Sequence, residues 1–135
     1  MGLDNGFYVK SNKRTITREM LPSAIQFPFN TDYNGDVEIV YWRKNWGLRN
    51  AVLDLLNSRF SEEYRFDIDT PETVIEIIGI IGSFLDPEKW ESEGASIWTA
   101  EEARPGLIRD IMNFALIYGF MLENPDVYLQ FYDSY

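Results

Sequence analysis

The sequence contains no cysteine and no histidine among its 135 residues. Without cysteine there is no disulfide framework, no thiol nucleophile and no cysteine-based zinc site. Without histidine, the hydrolases that use this residue as a general base are excluded as well. We therefore expect no cofactor and no metal site, and we assign no catalytic residue.

Long apolar runs are also missing. The longest, from Ile77 to Leu85, lies between Glu76 and Asp86, and it is far shorter than the ~20 residues that cross a bilayer. The N-terminal residues 1–6 lack the basic start and apolar centre of a signal peptide. These features predict a soluble, cytoplasmic protein without a membrane partner.

Basic residues are the minority, with 12 Lys and Arg against 22 Asp and Glu. Residues 1–50 hold seven bases and five acids, whereas residues 51–135 hold five bases and seventeen acids. Binding to duplex nucleic acid requires a basic surface, so we do not expect it. The two parts can be solvated faces of opposite sign, or the basic part can meet the acidic part of a second copy.

The apolar pattern predicts an α+β protein. Hydrophobic residues make up 45% of the chain, which is enough for a core, and the length suits a single domain over residues 1–135. We predict a small antiparallel or mixed sheet with three main helices packed on one face. The strands are expected near 6–10, 36–43 and 127–132, and the helices at about 45–59, 71–85 and 107–123. Residues 36–43 are apolar enough on both faces for an inner strand, and residues 64–68 weakly suggest an edge strand.

Four residues set the expected helix boundaries. Asn45, Thr70 and Thr99 are of the types that cap helix N-termini, and Pro71 suits the first helical position. Pro105 is expected to interrupt or restart the helix that follows Thr99.

The segment from Tyr41 to Trp46 interleaves aromatic and basic side chains. This composition is typical of surfaces that stack on bases or anchor a protein interface. Strand alternation divides the segment between two faces, and the alternative interpretation is that Trp42 or Trp46 is packed in the core. The candidate interaction surface consists of Tyr41, Trp42, Arg43, Lys44 and Trp46.

Two acidic motifs resemble functional sites, but each lacks a feature that its function requires. Asp67 and Asp69 have the spacing of an aspartate nucleophile pair, but a weak strand precedes them and the Thr70 helix start explains their charge. Residues 30–38 resemble a calcium loop, yet its twelfth position is Tyr41, where a bidentate Glu is required.

Three short segments carry a resemblance. The opening MGLD, the YWRK at 41–44 and the terminal FYDSY at 131–135 resemble a group of small proteins from phages, prophages and gut Firmicutes. The resemblance implies a bacterial cytoplasm, a mobile-element origin and an accessory or host-interaction role. It implies no activity and no catalytic residues.

Two helices that are apolar on nearly all sides indicate self-association. A chain of this length has little interior in which to bury both completely, and Gly79 and Gly82 are expected to form a closely packed edge. Our leading hypothesis is a non-enzymatic module that forms a dimer and binds a host or phage protein. One alternative is an acidic nucleic-acid mimic or a single-strand binder. Another is a metal-dependent enzyme built from carboxylates alone.

Overall fold

The computed structural model describes residues 3–32, 35–56, 65–94 and 96–134. These ranges contain a short 3₁₀ turn at Arg18–Met20 in addition to strands and α-helices. The strands are β1 (Asp4–Ser11), β2 (Val37–Arg43), β3 (Arg65–Ile68) and β4 (Val127–Ser134). The helices are α1 (Trp46–Leu55), α2 (Pro71–Ser83), α3 (Pro87–Glu93) and α4 (Ala100–Glu123).

The strands form one antiparallel sheet in the order β2-β1-β4-β3. The first and last strands, β1 and β4, pair along their full length at its centre. Side chains alternate between the two faces of a strand, and the apolar face is the one the helices cover. Phe7 of β1, for example, lies 4.9 Å from Phe114 of α4 between ring centroids. The predicted α+β class with helices on one sheet face is confirmed, and β3 confirms the weaker edge-strand prediction.

β2 lies at an edge of the sheet, so the prediction of an inner strand at residues 36–43 is wrong. Within the described strands it pairs with β1 alone, and Ile39 is the additional residue of a bulge that follows the pairing of Phe7 with Val40. On the face away from the helices β2 carries Glu38, Tyr41 and Arg43, and the preceding loop covers part of this face. The ring of Phe29, from the segment before β2, lies 5.0 Å from that of Tyr41.

The core is centred on aromatic rings from three strands and α4. Around Phe7, the rings of Trp42, Phe114 and Phe131 have centroids at 5.4, 4.9 and 4.9 Å. Burying one such phenylalanine stabilises the fold by about 2–3 kcal/mol. The helices complete the cluster with one buried side each, through Leu48, Val52, Leu53, Val74, Ile77, Ile81, Leu107, Ile117 and Met121.

Helix α4 continues through Pro105, so the predicted interruption there and the predicted start near residue 107 are both wrong. Pro105 removes one helical hydrogen bond, the one to the carbonyl of Glu101, and water can satisfy that carbonyl because both residues are exposed. Thr99 and Glu102 form a capping box with backbone bonds of 3.1 and 2.9 Å. The cap contributes about 1 kcal/mol against the ~3 kcal/mol cost of an interior proline. Packing of the buried side of α4 offsets the rest.

Of the three predicted N-caps, Thr99 is confirmed and the other two do not use their side chains. Asn45 and Thr70 hold the N-cap positions of α1 and α2, but neither side chain bonds to its helix. The Thr70 hydroxyl lies 3.2 Å from Asp69 Oδ1 instead, and Asn45 is turned inward with 9% of its surface exposed. The predicted end of α1 near residue 59 falls outside the described residues.

A single buried amide connects α4 to β2 and to the loop before it. Asn113 Nδ2 donates to the carbonyl of Gln26 at 2.9 Å and to that of Ile39 at 3.0 Å. Its Oδ1 accepts from the Gln26 N–H at 3.0 Å. These bonds satisfy backbone groups that neither the bulge nor the loop can pair by itself, so they hold both against the helix.

The opposite sheet face carries a close contact between Gly6, Glu38 and Tyr132. The Tyr132 hydroxyl donates to Glu38 Oε2 at 2.7 Å, above Gly6. A Cβ at Gly6 would collide with both side chains, so this position requires glycine for close approach rather than for turn geometry. Burial raises the pKa of Glu38 to about 7, against the lowering effect of the Tyr132 hydrogen bond.

None of the described helices is both long enough and apolar enough to cross a bilayer.

Substituting Trp42 by Ala should lower the free energy of unfolding by about 3–5 kcal/mol, because Trp42 is 3% exposed and fills the space beside Phe7. That is a large part of a typical total of ~5–15 kcal/mol. Urea unfolding followed by circular dichroism measures the loss. The control is the double substitution of Arg43 and Lys44 by Ala, which should change stability by less than about 1 kcal/mol. A Trp42→Ala variant as stable as the parent would contradict the placement of this side chain in the core.

Candidate functional site

The segment from Tyr41 to Asn45 forms one wall of a cleft beside β2. The cleft has a volume of about 390 Å³, within the ~300–1,000 Å³ range typical of small-molecule sites. Its other walls come from α3, from Trp98 and from the first half of α4. We call it the Trp42 cleft, and its polar and aromatic lining consists of Tyr41, Trp42, Arg43, Asn45, Trp90, Trp98, Glu102, Arg109 and Asp110.

Backbone contacts hold the walls of the Trp42 cleft together. The Gly47 N–H donates to the carbonyl of Gly94 at 2.8 Å, and Asn45 forms an antiparallel bridge with Ser96. A Cβ at Gly47 would collide with backbone atoms of the 93–94 segment, so glycine permits α1 to begin this close to the end of α3. On the opposite wall the Trp90 indole N–H donates to the carbonyl of Trp98 at 2.8 Å. These contacts within the chain therefore fix the positions of the cleft walls.

Asp110 is a buried carboxylate at the base of the cleft, with 2% of its surface exposed. Its Oδ2 accepts a hydrogen bond from Trp42 Nε1 at 2.9 Å. Its Oδ1 has no hydrogen-bond partner among the described residues, although Arg109 Nη2 lies 3.5 Å away as an ion pair. Burial raises the pKa of Asp110 to about 6, while the Trp42 bond and Arg109 act to lower it. Among the described residues this oxygen is therefore held only by the long contact with Arg109.

Asn45 supplies a second unpaired acceptor to the same cleft. Its Oδ1 is buried and has no hydrogen-bond partner in the described part of the chain. Leaving a buried polar atom unpaired costs about 1–3 kcal/mol. The cleft therefore contains two acceptors that an incoming donor would satisfy.

The positive charges of the cleft belong to two arginines. Arg43 is exposed, and in the described structure its guanidinium makes no hydrogen bond or ion pair, although its charge acts to lower the pKa of Tyr41. Arg109 is 39% exposed and faces the Asp110 carboxylate. Trp98, 45% exposed, stands beside these charges as a partly open aromatic wall.

The predicted interaction surface is divided by the fold. Tyr41, Trp42 and Arg43 line the cleft, whereas Lys44 and Trp46 do not. Trp42 is a core residue, as one interpretation of the sequence predicted. Trp46 is 39% exposed and stacks against the Arg49 guanidinium at 5.2 Å. The use of these five residues as an interaction surface remains a prediction.

Lys44 occupies the turn between β2 and α1. It has a φ of 55°, the one positive φ of a non-glycine residue in the described ranges. This left-handed conformation reverses the chain immediately after β2. Its N–H donates to the carbonyl of Leu3 at 2.7 Å, which compensates for part of the strain.

The acidic motifs do not come together as a site. Asp67 lies on β3, where it accepts a hydrogen bond from Gln130 at 2.9 Å, and Asp69 accepts from Thr70. Part of the calcium-like loop, residues 33 and 34, lies outside the described residues. Across the described ranges no group of three acidic side chains is arranged to hold a metal ion.

A second candidate surface runs along the outer side of α4. Apolar and small residues recur there at alternating spacings of three and four, on the side opposite the buried one. Ile108, Met112 and Leu122 are 39%, 52% and 55% exposed. We call this surface the α4 stripe, and its residues are Pro105, Ile108, Met112, Ala115, Gly119 and Leu122, all exposed.

Helix α2 adds a shorter exposed apolar stretch. Ile75 is 47% exposed, and Cβ atoms built at Gly79 and Gly82 meet nothing within 4 Å in the described structure. The prediction that these glycines pack closely is therefore wrong within the described chain. They leave the surface of α2 flat and open.

Sequence reasoning missed the α4 half of the Trp42 cleft, although one signal was available. The buried residues of α4 lie at 107, 110, 113, 114, 117 and 121, and all are apolar except Asp110 and Asn113. A carboxylate at a position that the period assigns to the core indicates a functional or structural exception. Trp90 and Trp98 carried no comparable signal, because their approach to β2 depends on the path of the chain between α3 and α4.

The chain was also compared with known proteins. No protein-family model, curated protein or solved structure matches it. The interpretation of both candidate surfaces therefore rests on their own geometry.

Replacing Asp110 by Asn should stabilise the protein at neutral pH and not in acid. The folded state raises the pKa of Asp110 from 3.8 to about 6, so it binds the proton more tightly than the unfolded chain does. The contribution of this group is therefore most favourable below about pH 4 and becomes less favourable as pH rises toward 6. The difference amounts to about 3 kcal/mol at neutral pH.

Urea unfolding of the parent and of Asp110→Asn at about pH 4 and about pH 7.5 measures this effect. The variant should be more stable by up to about 3 kcal/mol at the higher pH, and by much less at the lower one. If the parent and the variant had equal stability at both pH values, burial would not penalise the Asp110 charge.

Proposed function

We propose that the protein is a self-associating protein-interaction module whose copies pair through the α4 stripe as antiparallel helices. The observation that supports the proposal is the alternating spacing of six exposed apolar or small residues. A spacing of three and four residues keeps side chains on one seam facing a second helix, as in coiled coils. A solvated helix surface needs no such period.

The sizes of the side chains favour a second copy of this chain as the occupant. In an antiparallel pair centred between residues 113 and 114, Met112 faces Ala115 of the second copy. Ile108 likewise faces Gly119, and Pro105 faces Leu122. Each of the two central layers sets a large side chain against a small one, which allows close packing without voids. A parallel pair would place Met112 against Met112 and Gly119 against Gly119.

The flanking charges select the same orientation. In this register Arg109 lies beside Glu123 of the second copy, and the helix dipoles are opposed, which is favourable. A parallel pair would instead bring Arg104 beside Arg109. Such a like-charge pair is destabilising.

The dimension of the stripe sets the expected affinity. From Pro105 to Leu122 it extends about 26 Å at 1.5 Å per residue. A strip of this length covers roughly 300 Å² per copy, below the ~800 Å² per partner of a standard interface. The exposed face of α2 around Ile75 and Gly79 can widen it. We therefore propose a dimer with a Kd on the order of 10–100 µM.

The wider role remains part of the proposal. Cytoplasmic location, a mobile-element origin and a host or phage protein as partner are supported by the resemblance of three short segments alone. The reversible dimer is compatible with this role, since a partner protein with an apolar helix could replace one copy on the stripe.

Substituting Met112 by Glu should abolish the dimer. In the proposed register the two new carboxylates lie near the centre of the interface, where they would be desolvated and close to each other. Sedimentation velocity from about 1 to about 500 µM reports the monomer–dimer equilibrium. The matched control is Met20→Glu, because Met20 is 44% exposed and belongs to the 3₁₀ turn rather than to the α4 stripe. A parent that stays monomeric over this range would overturn the proposal.

Cysteine cross-linking tests the orientation against a cysteine-free background. Oxidised mixtures of Ile108→Cys and Gly119→Cys should give the mixed disulfide dimer, because these positions face each other in the antiparallel pair. Either variant alone should cross-link poorly, since its two sulfurs would be about 16 Å apart along the axis. Efficient cross-linking of each variant with itself, and none in the mixture, would indicate parallel helices.

A further inference from the structure

The Trp42 cleft contains features that folding alone does not account for. Asp110 is 2% exposed and Asn45 is 9% exposed, and each has a buried oxygen without a hydrogen-bond partner among the described residues. These side chains come from different elements, α4 and the β2–α1 junction, and they line the same space. Buried acceptors left open in this way match a ligand that donates hydrogen bonds.

The walls of the cleft specify the shape of such a ligand. Trp42 and Trp90 contribute aromatic surface inside, and Trp98 stands partly open at 45% exposure. Aromatic side chains of this kind bind planar rings by stacking. A volume of about 390 Å³ accommodates one small planar molecule, not a strand of them.

The open end of the cleft indicates that the ligand carries a negative charge. The guanidinium of Arg43 makes no ion pair or hydrogen bond in the described structure, and it has the fork geometry that suits phosphate and carboxylate groups. The ligand is therefore expected to place donors at the buried end, a flat ring in the middle and an anion at the open end.

We propose that the Trp42 cleft is a binding site for a planar nitrogen heterocycle that carries an N–H donor and an anionic group, the chemistry of a nucleoside monophosphate. The N–H group donates to Asp110 Oδ1, and the ring packs against Trp98. Arg43 holds the phosphate. Arg109 pairs with Asp110 from 3.5 Å and is exposed enough to move aside as the donor enters. The residues that contact the ligand in this proposal, Asp110, Trp98 and Arg43, lie outside the α4 stripe, and Arg109 adjoins both surfaces.

The test titrates AMP, GMP, CMP and UMP separately into the full chain, with binding followed by tryptophan fluorescence and calorimetry. At least one nucleotide should bind with a Kd below about 1 mM, and its nucleoside should bind about tenfold more weakly because the anion is missing. For AMP, the N6,N6-dimethyl derivative lacks the exocyclic donor and should lose about tenfold as well. Failure of all four nucleotides to bind would overturn the proposal.

Single substitutions test which residues contact the bound nucleotide. Asp110→Asn keeps an oxygen for Trp42 but presents an amide donor to the ligand, so it should weaken binding at least about tenfold while the protein stays folded. Trp98→Ala and Arg43→Ala should each weaken binding about fivefold to tenfold. The matched control is Arg104→Ala, an exposed arginine on α4 outside the cleft, which should leave the Kd unchanged. Nucleotide binding that Asp110→Asn leaves intact would place the ligand elsewhere and overturn the assignment.

Discussion

Two buried polar side chains of α4 hold the helix against β2, and most of the fold depends on this contact. Asn113 satisfies the backbone of the β2 bulge and of the loop before it. One turn earlier, Asp110 accepts from the indole of Trp42. Polar groups in a core must be paired, so these bonds allow few alternative positions of α4. The apolar contacts around Phe7 tolerate small shifts of the helix, whereas directed hydrogen bonds do not.

A second buried network lies on the same helix-covered face of the sheet, near the start of β1 and the end of β4. Arg49 of α1 holds Asp133 of β4 through a bidentate pair at 2.9 and 2.8 Å, and Asn5 of β1 donates to the same carboxylate at 2.7 Å. The two ends of the described chain are thus joined to α1 in the interior. Because an unpaired buried charge would be costly, this arrangement favours one register between β1 and β4.

The two candidate surfaces use the buried side and the outer side of α4. Its buried side carries the Asp110 carboxylate toward the Trp42 cleft, and its outer side presents the α4 stripe to solvent. Placing a charge in the interior costs stability at neutral pH, and leaving an apolar stripe exposed lowers solubility. A helix that carries both features in a small protein is better suited to binding than to structural support alone. The two surfaces occupy different sides of α4 and meet at Arg109, which lines the cleft and flanks the stripe.

The residue pattern by itself determined the α+β class and the positions of β1, β2, β4 and most of each main helix, because local periodicity records which side chains face a core. It did not determine that β2 is an edge strand, since the alternation along a strand reflects the burial of its two faces and not the number of strands that pair with it. It misjudged Pro105, whose cost depends on packing along the whole of α4, and the cap role of Asn45, whose side chain turns inward to the cleft. Only the tertiary structure brought Trp98, Arg43 and Asp110 together, because they are far apart along the chain and no local pattern connects them.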